Sequence, residues 1–197
     1  SAGKPLTVYH DHDSLLANIA FGEREREVLA QLCGRGVRWR EVLLLYTGST
    51  FGKVLEFYQK ATFIPLRPDR LFLSLADPIE QVVEAINRFR PDVLIGYSGY
   101  LEMLFRTLAA RSMQMHLPQL VVYGGEAMTE PGRQFIKERF GVTLTSLYNA
   151  VESFKIGFAC EVGDGYHLHA DLCHVKLVDS NGKTVADGEK GEVVISN

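Results

Sequence analysis

One stretch, Leu120 to Glu152, limits this chain to very few folds. It reads LVVYGGEAMTEPGRQFIKERFGVTLTSLYNAVE. Leu120–Tyr123 is a short apolar run ending at Gly124-Gly125, the pattern of a buried strand broken by a turn. Thr129 suits a helix N-cap, Pro131 a first helical turn, and Gly141 the position just past a helix end. Between them Phe135, Ile136, Arg139 and Phe140 recur at helical spacing, and Val142–Leu147 reads as a second strand. Strand, helix and strand in about thirty residues make a βαβ unit, with a right-handed crossover and neighbouring parallel strands. Gly124-Gly125-Glu126 and Tyr148–Glu152 are then expected at one carboxyl edge of the sheet, where open α/β sheets bind ligands.

The flanking sequence repeats this alternation. Asp13-Ser14 can cap a helix through Leu15, Leu16, Ile19 and Ala20, and a second amphipathic stretch runs from Glu23 to Leu32. The charges of Glu23–Glu27 read as a solvated helix face. Gly34-Arg35-Gly36 is a turn, and Val42–Tyr46, Leu71–Leu75 and Val93–Gly96 are apolar strands. Asp77-Pro78 opens a helix with Val82, Val83, Ile86 and Phe89 on one face, ended by Arg90-Pro91. Tyr97–Tyr100 form a turn before a helix carrying Leu101, Leu104, Phe105 and Leu108. Gly48–Lys53 follows a strand but has one residue too few between its glycines for a phosphate loop, and Val54 replaces the hydroxyl that would meet magnesium. A turn capped by Ser49 or Thr50 is the better reading.

After Glu152 the pattern changes. Lys155–Cys160 and Tyr166–His169 flank Gly163-Asp164-Gly165, and Cys173–Val178 and Thr184–Val185 flank Asn181-Gly182, both hairpin signals. Val193–Ile195 reads as a further strand. The expected fold class is therefore α/β: a mostly parallel sheet with flanking helices, followed by a β-rich hairpin segment, with a soft boundary near 151–154.

Composition excludes some functions. Net charge is −3 over 197 residues, which gives no reason to expect nucleic acid as a partner. No apolar run approaches the roughly 18–20 residues that cross a bilayer, and no signal peptide opens the chain, so no membrane is expected. The cysteine count of 3 suits a reducing, cytoplasmic compartment better than a disulfide framework. Ser1-Ala2 at one end and an apparent strand running to Asn197 at the other read as cuts in a longer protein.

Tyr123-Gly124-Gly125-Glu126, followed by Tyr148-Asn149-Ala150-Val151-Glu152, resembles the adenine-binding and magnesium-binding motifs of adenylate-forming enzymes. Within that superfamily the chain is most similar to the phenylacetate–CoA ligase branch. The resemblance implies an AMP-forming acid–thiol ligase that activates a small carboxylic acid as an acyl-adenylate and releases pyrophosphate. ATP, Mg²⁺ and coenzyme A are its implied cofactors and co-substrates. Tyr148 then matches the residue that packs on adenine, and Glu152 the catalytic Mg²⁺ ligand. Gly124, Gly125, Glu126 and Asn149 complete the nucleotide platform. Lys4 matches the end of the family's phosphate loop, and Tyr97, Ser98 and Tyr100 match the turn lining the acyl pocket. Val151 stands where the family has a threonine that touches the α-phosphate. By resemblance, residues 1–197 are part of the large nucleotide-binding domain, lack the small C-terminal domain, and are inactive alone. The alternative is a non-catalytic nucleotide-binding or zinc-stabilised regulatory module on the same scaffold.

A second cluster has chemistry of its own. Cys160, His167, His169, Cys173 and His174 fall close together, and His167 and His169 share a face if Tyr166–His169 is a strand. Cys160 can approach them across the hairpin, giving the nitrogen and sulfur donors that zinc prefers. The zinc set read from this pattern is Cys160, His167, His169 and Cys173; the spacing matches no standard zinc motif, and the alternative reading is two buried cysteines with surface or capping histidines.

Overall fold

The computed structural model describes residues 7–36, 38–61, 69–162 and 165–196. Helix α1 spans His12–Leu32, capped by Asp11, whose Oδ1 accepts from the Ser14 N–H at 2.7 Å. The two expected helical stretches are one helix, and its cap lies before Asp13-Ser14. No glycine or proline signal separates Ala20 from Glu23 strongly enough to stop it, since Gly22 alone costs a helix only about 1 kcal/mol.

Strand β1 (Arg40–Leu45), β2 (Asp69–Ser74), β3 (Val93–Tyr97), β4 (Leu120–Gly124) and β5 (Thr143–Ala150) run parallel. Strands β6 (Phe154–Ala159) and β7 (Tyr166–Leu168) extend the same sheet antiparallel, in the order β2-β1-β3-β4-β5-β6-β7. Helices α2 (Thr50–Ala61), α3 (Ile79–Phe89), α4 (Ser98–Ala110) and α5 (Glu130–Phe140) connect the parallel strands. The change from parallel to antiparallel falls at the turn after Ala150, and the sheet is continuous across it.

Period-2 alternation distributes the strand side chains between two helical layers. Val42, Leu44, Leu94, Val121 and Tyr123 pack with Val83, Phe105 and Ile136 under α3, α4 and α5. Leu120, Val122 and Val93 face the other way, onto Leu29 and Trp39 beside α1, while Leu43 and Leu45 meet Leu55 of α2. Parallel strands covered on both faces explain why β1 and β4 read as continuous apolar runs.

The βαβ unit forms as its local signals direct. Thr129 Oγ1 accepts from the Gly132 N–H at 3.0 Å, and Gly141 closes α5 at φ 67°, a left-handed conformation in which glycine has no Cβ penalty. Strand β5 runs past Leu147 to Ala150, because β6 folds back on it through the pairs Leu147↔Phe158 and Ala150↔Phe154. Tyr148 and Asn149 are thus strand residues rather than loop residues. Tyr97–Tyr100 is not a separate turn, since α4 begins at Ser98 directly after β3.

The tail differs in its pairing. Asn181-Gly182 does make the expected turn, with the Asp179 N–H donating to Lys183 O at 2.8 Å. The expected hairpin closes briefly, with Thr184 bridging Val178 and the Val185 N–H donating to Leu177 O at 3.0 Å, while β8 (His174–Val178) pairs along its whole length with β9 (Glu192–Ser196). Among the described residues, no helix is long and apolar enough to cross a membrane.

Candidate active site

The connection from β1 reaches β2 on one side of it, while later strands add on the other side through β3. Such a reversal opens a crevice outside the carboxyl ends of the strands. A cavity of about 380 Å³ lies there, lined from β1, β3, β4 and β5 and closed by α2 and the start of β6. Its floor is Ile95, Val122 and Leu147, and α2 contributes Phe51, Val54 and Tyr58. Burial pushes the Tyr58 hydroxyl up to about 12, so it stays a neutral donor.

Gly124 and Gly125 form one wall. Gly125 has φ +81°, and a Cβ there would fall 2.7 Å from Tyr97 Cδ1, so both backbone and packing demand glycine. Tyr97 lines the cavity beside it, with its ring 5.7 Å from that of Tyr46. Asn149 also lines the cavity, and its Oδ1 is buried with no hydrogen-bond partner among the described residues. An orphan acceptor of this kind costs about 1–3 kcal/mol unless something donates to it. Lys155 runs its stem along the wall while its Nζ pairs with Glu25 Oε2 at 3.1 Å. Its backbone N–H donates to Asn18 Oδ1 at 3.2 Å.

The remaining expected residues are distributed around this cavity. Glu126 Oε1 accepts from the Gly99 N–H at 3.0 Å, closing the start of α4 where a carboxylate also meets the helix dipole. Ser98 is buried and its hydroxyl donates to Ala127 O at 3.4 Å. Tyr100 packs into the core beside α3, its hydroxyl buried without a described partner and its pKa raised by burial. Of Tyr97, Ser98 and Tyr100, then, only Tyr97 lines the cavity. Tyr148 lies outside the cavity lining and stands edge-to-face to Tyr166 at 6.0 Å. Tyr166 in turn lies 2.5 Å from Ser146 Oγ through its hydroxyl. Glu152 is exposed in the turn that follows the cavity residue Val151. Val151 O is held by His10 Nε2 at 2.7 Å, with the His10 ring against Phe154. Lys4 lies outside the described residues.

The Cys/His cluster is split. Cys160 and His167 come together with Glu161. His169 and Cys173 are buried elsewhere, with Cys173 Sγ 3.8 Å from His169 O. His169 is 1 % exposed, and desolvation holds its imidazole below the usual histidine range.

Sequence reasoning missed several cavity residues. Helix α2 was detectable from Phe51, Val54, Leu55 and Tyr58 at i, i+3, i+4 and i+7, yet the phosphate-loop comparison drew attention to the turn before it. Glu25 belongs to a charge cluster read as solvated but is 7 % exposed, because Lys155 reaches it from β6. Nothing local signals that pair.

A larger concavity of about 760 Å³ lies at the amino ends of β1, β2 and β3, lined by Arg35, Arg40, Asp69 and Asp92. Two of its arginines meet aspartates, with Arg35 2.6 Å from Asp92 and Arg40 3.6 Å from Asp69. It is remote from the carboxyl edge and lacks the crevice topology.

The profile of the AMP-binding enzyme family matches residues 1–197. This chain belongs to the AMP-binding enzyme family. Phenylacetate-coenzyme A ligase of Pseudomonas putida is 26 % identical over 124 residues, covering 60 % of this chain. The ligase of the same description from Escherichia coli (strain K12) is 29 % identical over 125 residues, covering 59 % of this chain. Each match spans 28 % of the relative's own length. Among solved structures, the anthranilate CoA ligase AuaEII in complex with anthranoyl-AMP superimposes with TM-score 0.71 at 21 % identity, covering 95 % of this chain and 36 % of that one. The amide bond synthetase McbA from Marinactinospora thermotolerans gives 0.70 at 22 % identity, covering 98 % and 38 %. These structures share the fold found here, a mostly parallel sheet with flanking helices.

Proposed function

We propose that this chain is part of the large nucleotide-binding domain of an acyl-adenylate-forming acid–thiol ligase. In that reaction a carboxylate oxygen bonds to the α-phosphorus of ATP, the bond to pyrophosphate breaks, and coenzyme A then displaces AMP from the acyl group. The observation that carries the reading is Asn149 Oδ1, a buried and unpaired acceptor in the carboxyl-edge cavity of an AMP-binding family chain. An adenine amino group is a donor that would satisfy it.

In this reading Gly124 and Gly125 let the nucleotide approach backbone, and Glu126 fixes the loop after β4 by bonding α4. The ring of Tyr148, expected to pack on adenine, is turned to Tyr166 outside the cavity lining, so no cavity contact is assigned to it. The apolar floor and the Tyr97 ring suit the body of a small carboxylic acid. Lys4 would add a cation to the phosphates. Glu152 fits magnesium: it is an exposed oxygen donor beside the cavity, and Mg²⁺ takes one or two carboxylates plus phosphate oxygens. When bound, that ion supplies charge neutralisation at the phosphates.

The test is thermal denaturation of the 197-residue chain with AMP or ATP and Mg²⁺. Binding raises the melting temperature, and Asn149→Ala removes the rise. No stabilisation at millimolar nucleotide counts against the reading.

One observation favours a second reading, a nucleotide-binding module without catalysis. Val151 is 46 % exposed at the cavity mouth and carries no hydroxyl where the resemblance calls for threonine. A parent protein that binds AMP but exchanges no pyrophosphate would favour this version.

A further inference from the structure

We propose that Cys160, Glu161 and His167 form a zinc-type metal site that clips the β6–β7 hairpin. One donor atom from each residue, a thiol sulfur, a carboxylate oxygen and an imidazole nitrogen, lies within 4.8 Å of the other two. The hairpin ladder creates this proximity. Phe158 pairs with His167 and Ala159 with Tyr166, so the residue after β6 lies alongside the first turns of β7. The Cys160 N–H also donates to Gly165 O at 3.0 Å, which fixes the backbone where the sulfur departs.

The donor chemistry selects the ion class. Thiolate and imidazole favour zinc, whereas magnesium and calcium prefer all-oxygen shells. Donors at 2.0–2.3 Å from one tetrahedral ion stand roughly 3.3–3.8 Å apart, so side-chain rotation of about 1 Å closes the set. His167 Nε2 lies 3.0 Å from Glu161 Oε2. Cys160 is half-buried while Glu161 and His167 are exposed, so water can fill the fourth position.

The site differs from the set expected on sequence. His169 lies inside the protein, both ring nitrogens buried without described partners, and Cys173 Sγ turns to the His169 carbonyl. The likeness of His167 and His169 is limited to a shared neighbour, the Phe158 ring, at 5.2 and 5.4 Å.

The site has a mechanical consequence. Strand β7 is 3 residues long and exposed throughout, so it is weakly held. It nevertheless carries Tyr166, whose hydroxyl meets Ser146 and whose ring backs Tyr148. A metal that binds only the closed hairpin stabilises this strand by mass action.

The experiment is Zn²⁺ and Co²⁺ titration of the full 197-residue chain after chelation and under reducing conditions. The expected result is one equivalent of Zn²⁺ per chain, a raised melting temperature, and a thiolate-to-metal charge-transfer band with Co²⁺. Cys160→Ser abolishes the band. His167→Gln and the exposed-site variant Glu161→Gln weaken Zn²⁺ binding at least about tenfold, the scale already reached on losing an outer-shell partner. Cys173→Ser leaves band and affinity unchanged. Circular dichroism checks that each variant is folded, and Glu161→Gln carries the test if Cys160→Ser is not. A band that survives Cys160→Ser, a band lost in Cys173→Ser, or no stoichiometric Zn²⁺ binding by the folded wild type each overturns the assignment.

Discussion

The ring of Tyr97 rests on the backbone of Gly125, close enough that a Cβ on Gly125 would stand 2.7 Å from Tyr97 Cδ1. This contact joins the end of β3 to the turn after β4 and shapes one wall of the cavity. Gly125→Ala therefore meets two penalties, a left-handed φ and a steric clash. The expected loss is about 1–3 kcal/mol in urea denaturation. The further change Tyr97→Ala should recover only the steric part. Equal stability of Gly125→Ala and wild type would refute the contact.

Asn149 makes a prediction of unusual sign. Removing its orphan acceptor with Asn149→Ala should leave the ligand-free protein as stable as before, or more stable by up to about 1 kcal/mol. The same change should remove stabilisation by AMP. Thermal melts with and without nucleotide measure both effects. A destabilised apo-protein with intact nucleotide response would reverse the assignment.

Lys155 and Glu25 join β6 to α1 from within a partly buried pair. Lys155→Met leaves the Glu25 carboxylate buried alone and should cost about 3 kcal/mol, the low end for breaking a buried pair. Pairing it with Glu25→Gln should cost less than the sum of the single changes, because neither charge is then stranded. A double-mutant cycle in urea that proves additive would show the pair to be energetically idle.

His169 predicts a pH dependence. Burial lowers its pKa in the folded state, with Lys155 and Arg24 acting in the same direction and Glu25 and Asp171 opposing them. The unfolded chain then binds the extra proton first as pH falls through the ordinary histidine value of 6.5. Stability from this group is complete above that value and is lost as pH drops below it. His169→Phe should flatten the difference in denaturant midpoint between pH 7.5 and 5.5. An unchanged slope would assign the acid sensitivity to other groups.

The parts of the fold that were legible in sequence were those written locally. Thr129, Pro131 and Gly141 bracket α5, and Val82, Val83 and Ile86 define the buried face of α3. The carboxyl-edge position of Gly124 and Gly125 followed from one βαβ unit. What escaped is non-local. The pairing of β5 with β6 lengthened β5 through Tyr148 and Asn149, of which only Asn149 lines the cavity. The longer pairing of β8 with β9, beyond the short contact with Thr184–Val185, depends on a chain reversal that no turn dipeptide encodes. Glu25 looked solvated because its partner lies on β6, 130 positions away.

The central claim is that an adenine nucleotide occupies the carboxyl-edge cavity. The most direct measurement is a ¹H–¹⁵N correlation titration of the 197-residue chain with AMP and Mg²⁺. The expected result is saturable shifts at Gly124, Gly125 and Asn149, absent in Asn149→Ala. Shifts confined to Arg35, Arg40 and His116 at the amino-edge concavity, or none at millimolar AMP, would contradict it.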